Sequence, residues 1–196
     1  MTSPIVLDVG RWEPNASGRL RQAAMELYLE RGFEQTTVAE ISERAGLTAR
    51  TFFRHFADKR EVLFAGSGSL QEQLVGALAG APDSASPMEA ISAALAAAAT
   101  VLGQHREYSR QRQSVIAANV ELQERELIKL ASLAVALAAG LRRRGVDDAN
   151  ASLAAEAGVA VLRVAFERWV SETEDQDLLQ VIRESLDQLR TLTADG

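Results

Sequence analysis

From Ser17 the apolar residues Leu20, Ala24, Leu27 and Tyr28 recur at helical spacing, and Gly32 suits a left-handed cap at the end of that helix. Thr37-Val38-Ala39-Glu40 has the form of a capping box, in which a hydroxyl accepts from a first-turn amide and a carboxylate reaches back. It opens a short helix through Ile41 to Ala45, closed at Gly46, and Thr48 begins another through Phe52. Asp58-Lys59-Arg60-Glu61 repeats the box with aspartate as the cap, and predicts a helix over 58–79 through Val62, Leu63, Leu70, Leu74 and Leu78. Gly66 and Gly68 lie inside it, each costing about 1 kcal/mol against alanine, and mark a soft point. The stretch 80–87 reads as a loop. Ser86-Pro87-Met88-Glu89 then supplies an N-cap, a first-turn proline and a third-position glutamate. Further helices are expected near 88–103, 106–118, 121–144, 148–172 and 176–192. In the last of these Leu178, Ile182, Leu186 and Leu189 make one stripe, and Gly158, Leu162, Phe166 and Trp169 make one in the helix before. Residues 1–15, with Pro4 and Pro14, show no periodicity and read as a flexible arm.

Composition agrees with the pattern. Strand signals are weak: aromatics are 5% of the chain, and the only Asp-Gly is the terminal pair. Thirty-four alanines among 196 residues favour helices, so the expected fold is all-α with about nine of them. The absence of cysteine excludes disulfides, thiol nucleophiles and cysteine-based metal sites. His55 and His105 have no metal-ligand spacing, and neither a metal nor a cofactor is expected. No run of eighteen apolar residues occurs, and Asp8 interrupts the short N-terminal apolar run, so neither a membrane span nor a secretory signal is expected. The expected location is the cytoplasm.

Charge becomes informative when divided. Residues 1–64 hold nine basic and nine acidic side chains, which leaves the net −6 on the remainder. Within 44–60, Arg44, Arg50, Arg54, Lys59 and Arg60 face Asp58 alone. Such a patch attracts phosphates locally, within a screening length of about 10 Å. Two short helices joined at Ala45-Gly46-Leu47 have the size and turn of a helix-turn-helix, whose second helix suits a DNA major groove. On that helix Ala49, Arg50, Phe53 and Arg54 share one arc, while Leu47, Phe52 and Phe56 anchor the inside. Arg50 offers two parallel donors that match guanine O6 and N7. Thr37, Thr48, His55 and Lys59 are donor types suited to phosphates. A helical hairpin with solvated arginines fits the same residues.

The order Ala23-Ala24, Glu30-Arg31-Gly32-Phe33, Thr36-Thr37-Val38, Ile41, Ala45-Gly46-Leu47-Thr48, Thr51-Phe52-Phe53-Arg54-His55-Phe56, and Lys59 with Val62-Leu63 resembles the N-terminal domain of TetR-family transcriptional regulators. The resemblance implies a helix-turn-helix domain over 16–62 and a helical ligand-binding and dimerisation domain over 63–196. It implies backbone contacts from Thr37, Thr48, Phe53, His55 and Lys59, and base contacts from Ala49, Arg50, Thr51 and Arg54. Phe53 stands where the family usually has tyrosine, so no hydroxyl reaches a phosphate there.

The second part is similar to the C-terminal domain of regulators related to the mycofactocin-cluster repressor. The similarity rests on Arg112, Val115-Ile116-Ala117, Leu122, Glu124-Arg125-Glu126-Leu127, Lys129, Leu141-Arg142, Arg144-Gly145, Ala154-Ala155 and Phe166-Glu167-Arg168-Trp169. It implies acyl-coenzyme A-like effectors, with Tyr108, Arg112, Phe166 and Trp169 as candidate ligand contacts. His105 and Asn119 are further polar candidates, and Arg142–Arg144 either ends a helix in solvent or meets a ligand's phosphates. Phe166 and Trp169 serve equally well as core or dimer-seam residues. Residues 148–192 are expected to form the seam of a homodimer, whose two recognition helices would meet a palindromic operator on double-stranded DNA.

Two other classes compete. An enzyme would need a nucleophile–base pair, a metal cluster or a phosphate loop, and no recognisable one is present, so no catalysis is expected. A protein-binding helical module fits the amphipathic helices but gives no reason for the basic pair of short ones.

Overall fold

Every regular element of the computed structural model, which describes residues 15–172 and 176–194, is helical. The expected arm lies outside the described residues except for Asn15. In chain order the helices are α1 (Ala16–Arg31), α2 (Val38–Arg44), α3 (Ala49–His55), α4 (Ser67–Ala79), α5 (Pro87–Leu102), α6 (Arg106–Ala117), α7 (Val120–Arg143), α8 (Asp148–Ser171) and α9 (Leu178–Ala194). A single 3-10 turn, Gly103–His105, joins α5 to α6. Contacts divide the chain into two compact units after Leu63.

The first unit is three helices around one small core. Leu20, Ala24, Leu27, Tyr28, Phe33, Ile41, Phe52 and Phe56 are all buried. The Tyr28 and Phe33 rings meet edge to face at 5.3 Å, and Phe52 lies 5.5 Å from Phe56. Both halves of the first capping box form: Thr37 Oγ1 accepts from Glu40 N–H at 3.3 Å, and Glu40 Oε2 accepts from Thr37 N–H at 2.9 Å. The turn after α2 is a Schellman motif, with Leu47 N–H donating to Ser42 C=O and Gly46 N–H to Glu43 C=O. It requires φ of +64° at Gly46, where a Cβ would also lie 2.8 Å from the Arg19 guanidinium. That guanidinium donates to the Ala45 carbonyl, so the turn is held from both sides. Gly46→Ala is expected to lower the first unit's stability by about 1–2 kcal/mol. Thermal unfolding unchanged from wild type would refute this.

The helix expected over 58–79 begins later. Asp58 does cap, accepting from the Arg60 and Glu61 amides at 2.8 and 3.2 Å, but only turns follow over 58–66. Gly66 has φ of +90°, a conformation no right-handed helix can run through, so α4 starts afresh at Ser67. The soft point inferred from the glycine pair is therefore a complete break at Gly66, while Gly68 sits inside the new helix.

In the second unit α5 and α8 form the centre, packed with α4, α7 and α9. The second capping box, Ser86 with Glu89, opens α5 behind Pro87 as expected. Ala94, Ala98, Ala134 and Ala138 are buried, so the alanine-rich stretches pack closely. The approach is tightest at Gly158, where a Cβ would lie 2.5 Å from Ile91 Cγ2. Helix α8 is 24 residues long and apolar enough by composition to cross a membrane. It is instead the core helix of this unit, burying ten residues from Ala151 to Val170.

The arginines at helix ends act as caps. Arg144 donates to the carbonyls of Ala81 and Pro82 at 2.9 and 2.6 Å, closing the turn after α4. Arg142 pairs with Asp148 and Ser152. Two members of the 142–144 run, Arg142 and Arg144, are thus engaged by groups of the same chain. Arg106 and Arg110 of α6 donate to Trp169 and Val170 carbonyls at the end of α8, where backbone acceptors lack helical partners.

Candidate nucleic-acid interface

Helix α3 is two turns long, and its faces are sharply divided. Phe52 is fully buried, while Ala49, Arg50, Phe53, Arg54 and His55 are exposed and Thr51 is half-buried. Thr48 caps the helix, accepting from Thr51 N–H at 3.2 Å, and the two threonine hydroxyls meet at 3.1 Å. Phe53, 58% exposed, stands edge-on to Phe52 at 5.5 Å, so its ring is steadied from below while its outer face is bare. Burying Phe52 one way leaves the arc of Ala49, Arg50, Phe53 and Arg54 facing the other, as the spacing requires.

The five basic residues of 44–60 have three different fates. Arg44 forms a two-pronged pair with Glu30 at 2.9 and 3.0 Å, and reaches Glu26 at 3.4 Å. Arg60 is held by Asp58. Lys59 turns inward: its Nζ donates to the carbonyls of Phe33, Glu34 and Thr36 at 2.9, 3.2 and 3.0 Å, with the Phe33 ring beneath it at 4.3 Å. Among the described residues, Arg50 and Arg54 have no acidic or hydrogen-bonding partner. The local positive charge therefore resolves into two guanidiniums, four residues apart on one exposed helix face.

Two of the expected phosphate donors have partners within the first unit. Lys59 carries three N–H donors, and all three are engaged on backbone carbonyls. The Thr37 hydroxyl donates to Glu40 at 2.8 Å, so it belongs to the cap of α2 and sits beside a carboxylate. Thr48 and His55 remain exposed at the two ends of α3.

Three acidic side chains around the motif, Glu30, Glu40 and Asp58, are held ionised. Arg44 hydrogen bonding lowers the Glu30 pKa, the Thr37 amide and hydroxyl lower that of Glu40, and Arg60 lowers that of Asp58.

The candidate ligand residues of the second unit do not form one cluster. Trp169 is buried and donates its indole N–H to the Gln176 carbonyl at 2.9 Å, with the Phe166 ring 5.8 Å away. Arg106 lies over the indole at 5.6 Å. Beside them is an open, polar cleft of about 250 Å³, lined by Gly103, Arg106, Trp169, Gln176, Asp177 and Leu178. Arg112 is engaged elsewhere, paired with Glu126 at 3.1 Å and lying over the Phe64 ring at 5.1 Å. Tyr108 is half-buried and His105 exposed, while Asn119 donates to the Val115 carbonyl at 2.7 Å. Sequence reasoning missed Glu126 as the partner of Arg112, and Arg106 as the cation over Trp169. The four-residue spacing of Arg106 and Arg110 on α6 was the available signal for a cap on α8.

Comparison with known proteins decides the family. Residues 20–65 match the model of bacterial regulatory proteins of the tetR family, and residues 85–194 match that of the MftR C-terminal domain. The chain belongs to the TetR family. It is a DNA-binding transcriptional regulator with an MftR-type second domain, in a family that works by binding DNA rather than by catalysis. TetR-type relatives include TcmR of Streptomyces glaucescens, 40% identical over 89 residues that make up 45% of this chain and 38% of TcmR. The match thus spans well under half the length of that relative. MftR of Mycobacterium tuberculosis, whose name assigns it to the regulation of mycofactocin biosynthesis, is 27% identical over 84% of both chains. Among solved structures, FadR of Bacillus subtilis in complex with stearoyl-CoA superimposes with a TM-score of 0.62 at 19% identity. That alignment covers 88% of this chain and 96% of FadR, and it shows the shared TetR fold.

Proposed function

We propose that this TetR-family protein is a homodimeric repressor that leaves a palindromic operator when a small apolar or acyl-coenzyme A-like effector binds its second domain. The observation that carries the DNA reading is the exposed face of α3, where Arg50 and Arg54 are unpartnered beside a bare Phe53 ring. Arg50, Arg54, Ala49 and Thr51 are the proposed base-facing residues, with Thr48, Phe53 and His55 toward the backbone. Lys59 and Thr37 hold the motif's shape. The head spans 16–62 and the effector domain 63–196, an assignment that the division of contacts after Leu63 supports. Binding chromosomal DNA implies a cytoplasmic protein.

Dimerisation through 148–192 is supported by the outward face of α8. Leu153 and Val164 are 70% and 48% exposed there, with the small Ala157 and Ala160 between them. A stripe of that kind lets two helices approach closely in a bundle. Two-fold symmetry would set the recognition helices one DNA turn apart, about 34–36 Å, or a multiple of it. The effector class rests on the MftR-type domain and the stearoyl-CoA held by FadR. Phe166 and Trp169 are the proposed apolar contacts. An effector shifts the dimer off DNA only by binding one posture of the heads more tightly than the other.

Fluorescence anisotropy of the full chain on duplex tiles from its own upstream DNA tests this, at a fixed salt of about 150 mM. The expected result is two protomers on one tile, bound at least ~10³-fold more tightly than a scrambled control. Equal, weak binding to every tile would sink the reading. Saturating stearoyl-CoA is expected to weaken the specific complex, and unchanged affinity would remove the effector class. Arg50→Ala is expected to lose about 1–3 kcal/mol on the operator and far less on random DNA. Equal losses on both would reject base reading by Arg50.

A further inference from the structure

Among the described phenylalanines, tyrosines and tryptophans, Phe53 alone is exposed. A ring left in water forgoes the burial that stabilises the others. Its position is nevertheless fixed, because it meets Phe52 edge to face at 5.5 Å, and Phe52 is itself fully buried against Phe56. Ala49, four residues earlier, is exposed on the same strip of α3. Arg50 and Arg54 follow one residue behind each of them and so form a second strip, about 100° round the axis. The outer face of α3 is therefore two parallel rows, one apolar and one cationic, each about 6 Å long.

We infer that the apolar row reads the 5-methyl group of thymine, with Phe53 as its main contact and Ala49 as its second. The binding site then needs thymines at fixed places beside the guanines that the arginine row matches. The inference rests on the proposed DNA reading and deepens it. Phenylalanine has neither a donor nor an acceptor, so the ring cannot hold a phosphate oxygen. In the major groove adenine, guanine and cytosine present ring nitrogens, carbonyl oxygens and amino groups, while thymine alone presents a methyl. Covering a polar edge with the ring would strip its water and return no hydrogen bond, whereas covering a methyl removes apolar surface from water on both sides. That methyl lies at the rim of the groove, beside the sugar of its own strand. A ring directed toward the backbone therefore meets it. Because Phe52 already holds the ring, the contact orders no loose side chain.

The test uses the full-length protein and the tile it selects, remade with deoxyuridine in place of thymidine. Base pairing and phosphates are unchanged, and only the methyls are lost. A synthetic tile carries no methylated cytosine, so thymine is the sole source of the group. Wild-type affinity is expected to fall about 4-fold for each methyl under Phe53, and about 15-fold where two copies are engaged. A scrambled tile remade in the same way should change by less than about 2-fold, because its binding comes from phosphates. Phe53→Ala should weaken binding to the thymidine tile by a similar factor and then respond little to the loss of methyls. Phe53→Leu, which restores an apolar contact, should recover part of that response, and it carries the test if Phe53→Ala fails to fold. Arg50→Ala, which leaves the apolar row in place, should keep the wild-type ratio between the two tiles. Equal wild-type affinity for both tiles overturns the inference, as does an undiminished ratio in Phe53→Ala. If the wild-type protein selects no tile, the DNA reading and the row fall together, whereas a selected tile indifferent to methyl removal fells the row alone.

Discussion

Phe52→Ala is expected to unfold the DNA-reading head while leaving the helical second unit intact. Phe52 is among the largest fully buried side chains, and it touches Phe53 on the outer face and Phe56 below. Truncating a buried phenylalanine costs about 3–5 kcal/mol through lost transfer energy and the cavity left behind. A three-helix unit of this size has little more than that to lose. Amide exchange should therefore collapse over α1, α2 and α3 and persist in α5 and α8. Operator and random-DNA binding should vanish together. Protection retained in α1 would show that the head's core does not depend on this ring.

Lys59→Met should act on stability, where the residue type alone points to DNA affinity. Its ammonium joins the carbonyls of Phe33, Glu34 and Thr36, which form the turn between α1 and α2. Removing it leaves those carbonyls short of donors and costs about 2–3 kcal/mol, since charged hydrogen bonds are worth about 1.5–3 kcal/mol each. The melting temperature of the head should fall. The dependence of DNA affinity on salt should stay close to wild type, because the donors engaged on carbonyls reach no phosphate. A variant that melts like wild type yet shows a salt slope lower by about one would return Lys59 to the interface.

These two residues show what the chain's pattern could and could not reveal. Phe52 was legible because burial follows period: an aromatic on the face opposite Arg50 and Arg54 can only point inward. The caps at Thr37, Ser86 and Thr48 were legible for a related reason, since a cap is a contact within three residues of sequence. Lys59 was not. Its partners lie 23–26 residues away, and a lysine beside an arginine reads the same whether its amine faces water or a carbonyl. Arg44 was hidden in the same way, its charge cancelled by Glu30 across 14 residues. The break before α4 was half visible. Glycine marks where a helix is weak, but only the backbone angle at Gly66 shows that it ends there. Arg112 and Trp169 were found as residues but their neighbours were not, because Glu126, Phe64 and Arg106 lie 14 or more residues away in the chain.

The shortness of α3 limits what one head can say. Seven residues rise about 10 Å along the helix axis, at about 1.5 Å each. Base pairs stack about 3.4 Å apart, so the helix lies over about three of them. Three fully specified pairs carry about six bits, an address that recurs by chance roughly every 64 pairs in a genome offering about 10⁶ or more competing sites. No sharpening of Arg50 or Arg54 lengthens that address. Only a second α3 at a fixed separation would double the message, so in the proposed dimer the vocabulary would be set by geometry between copies rather than by the side chains of one helix.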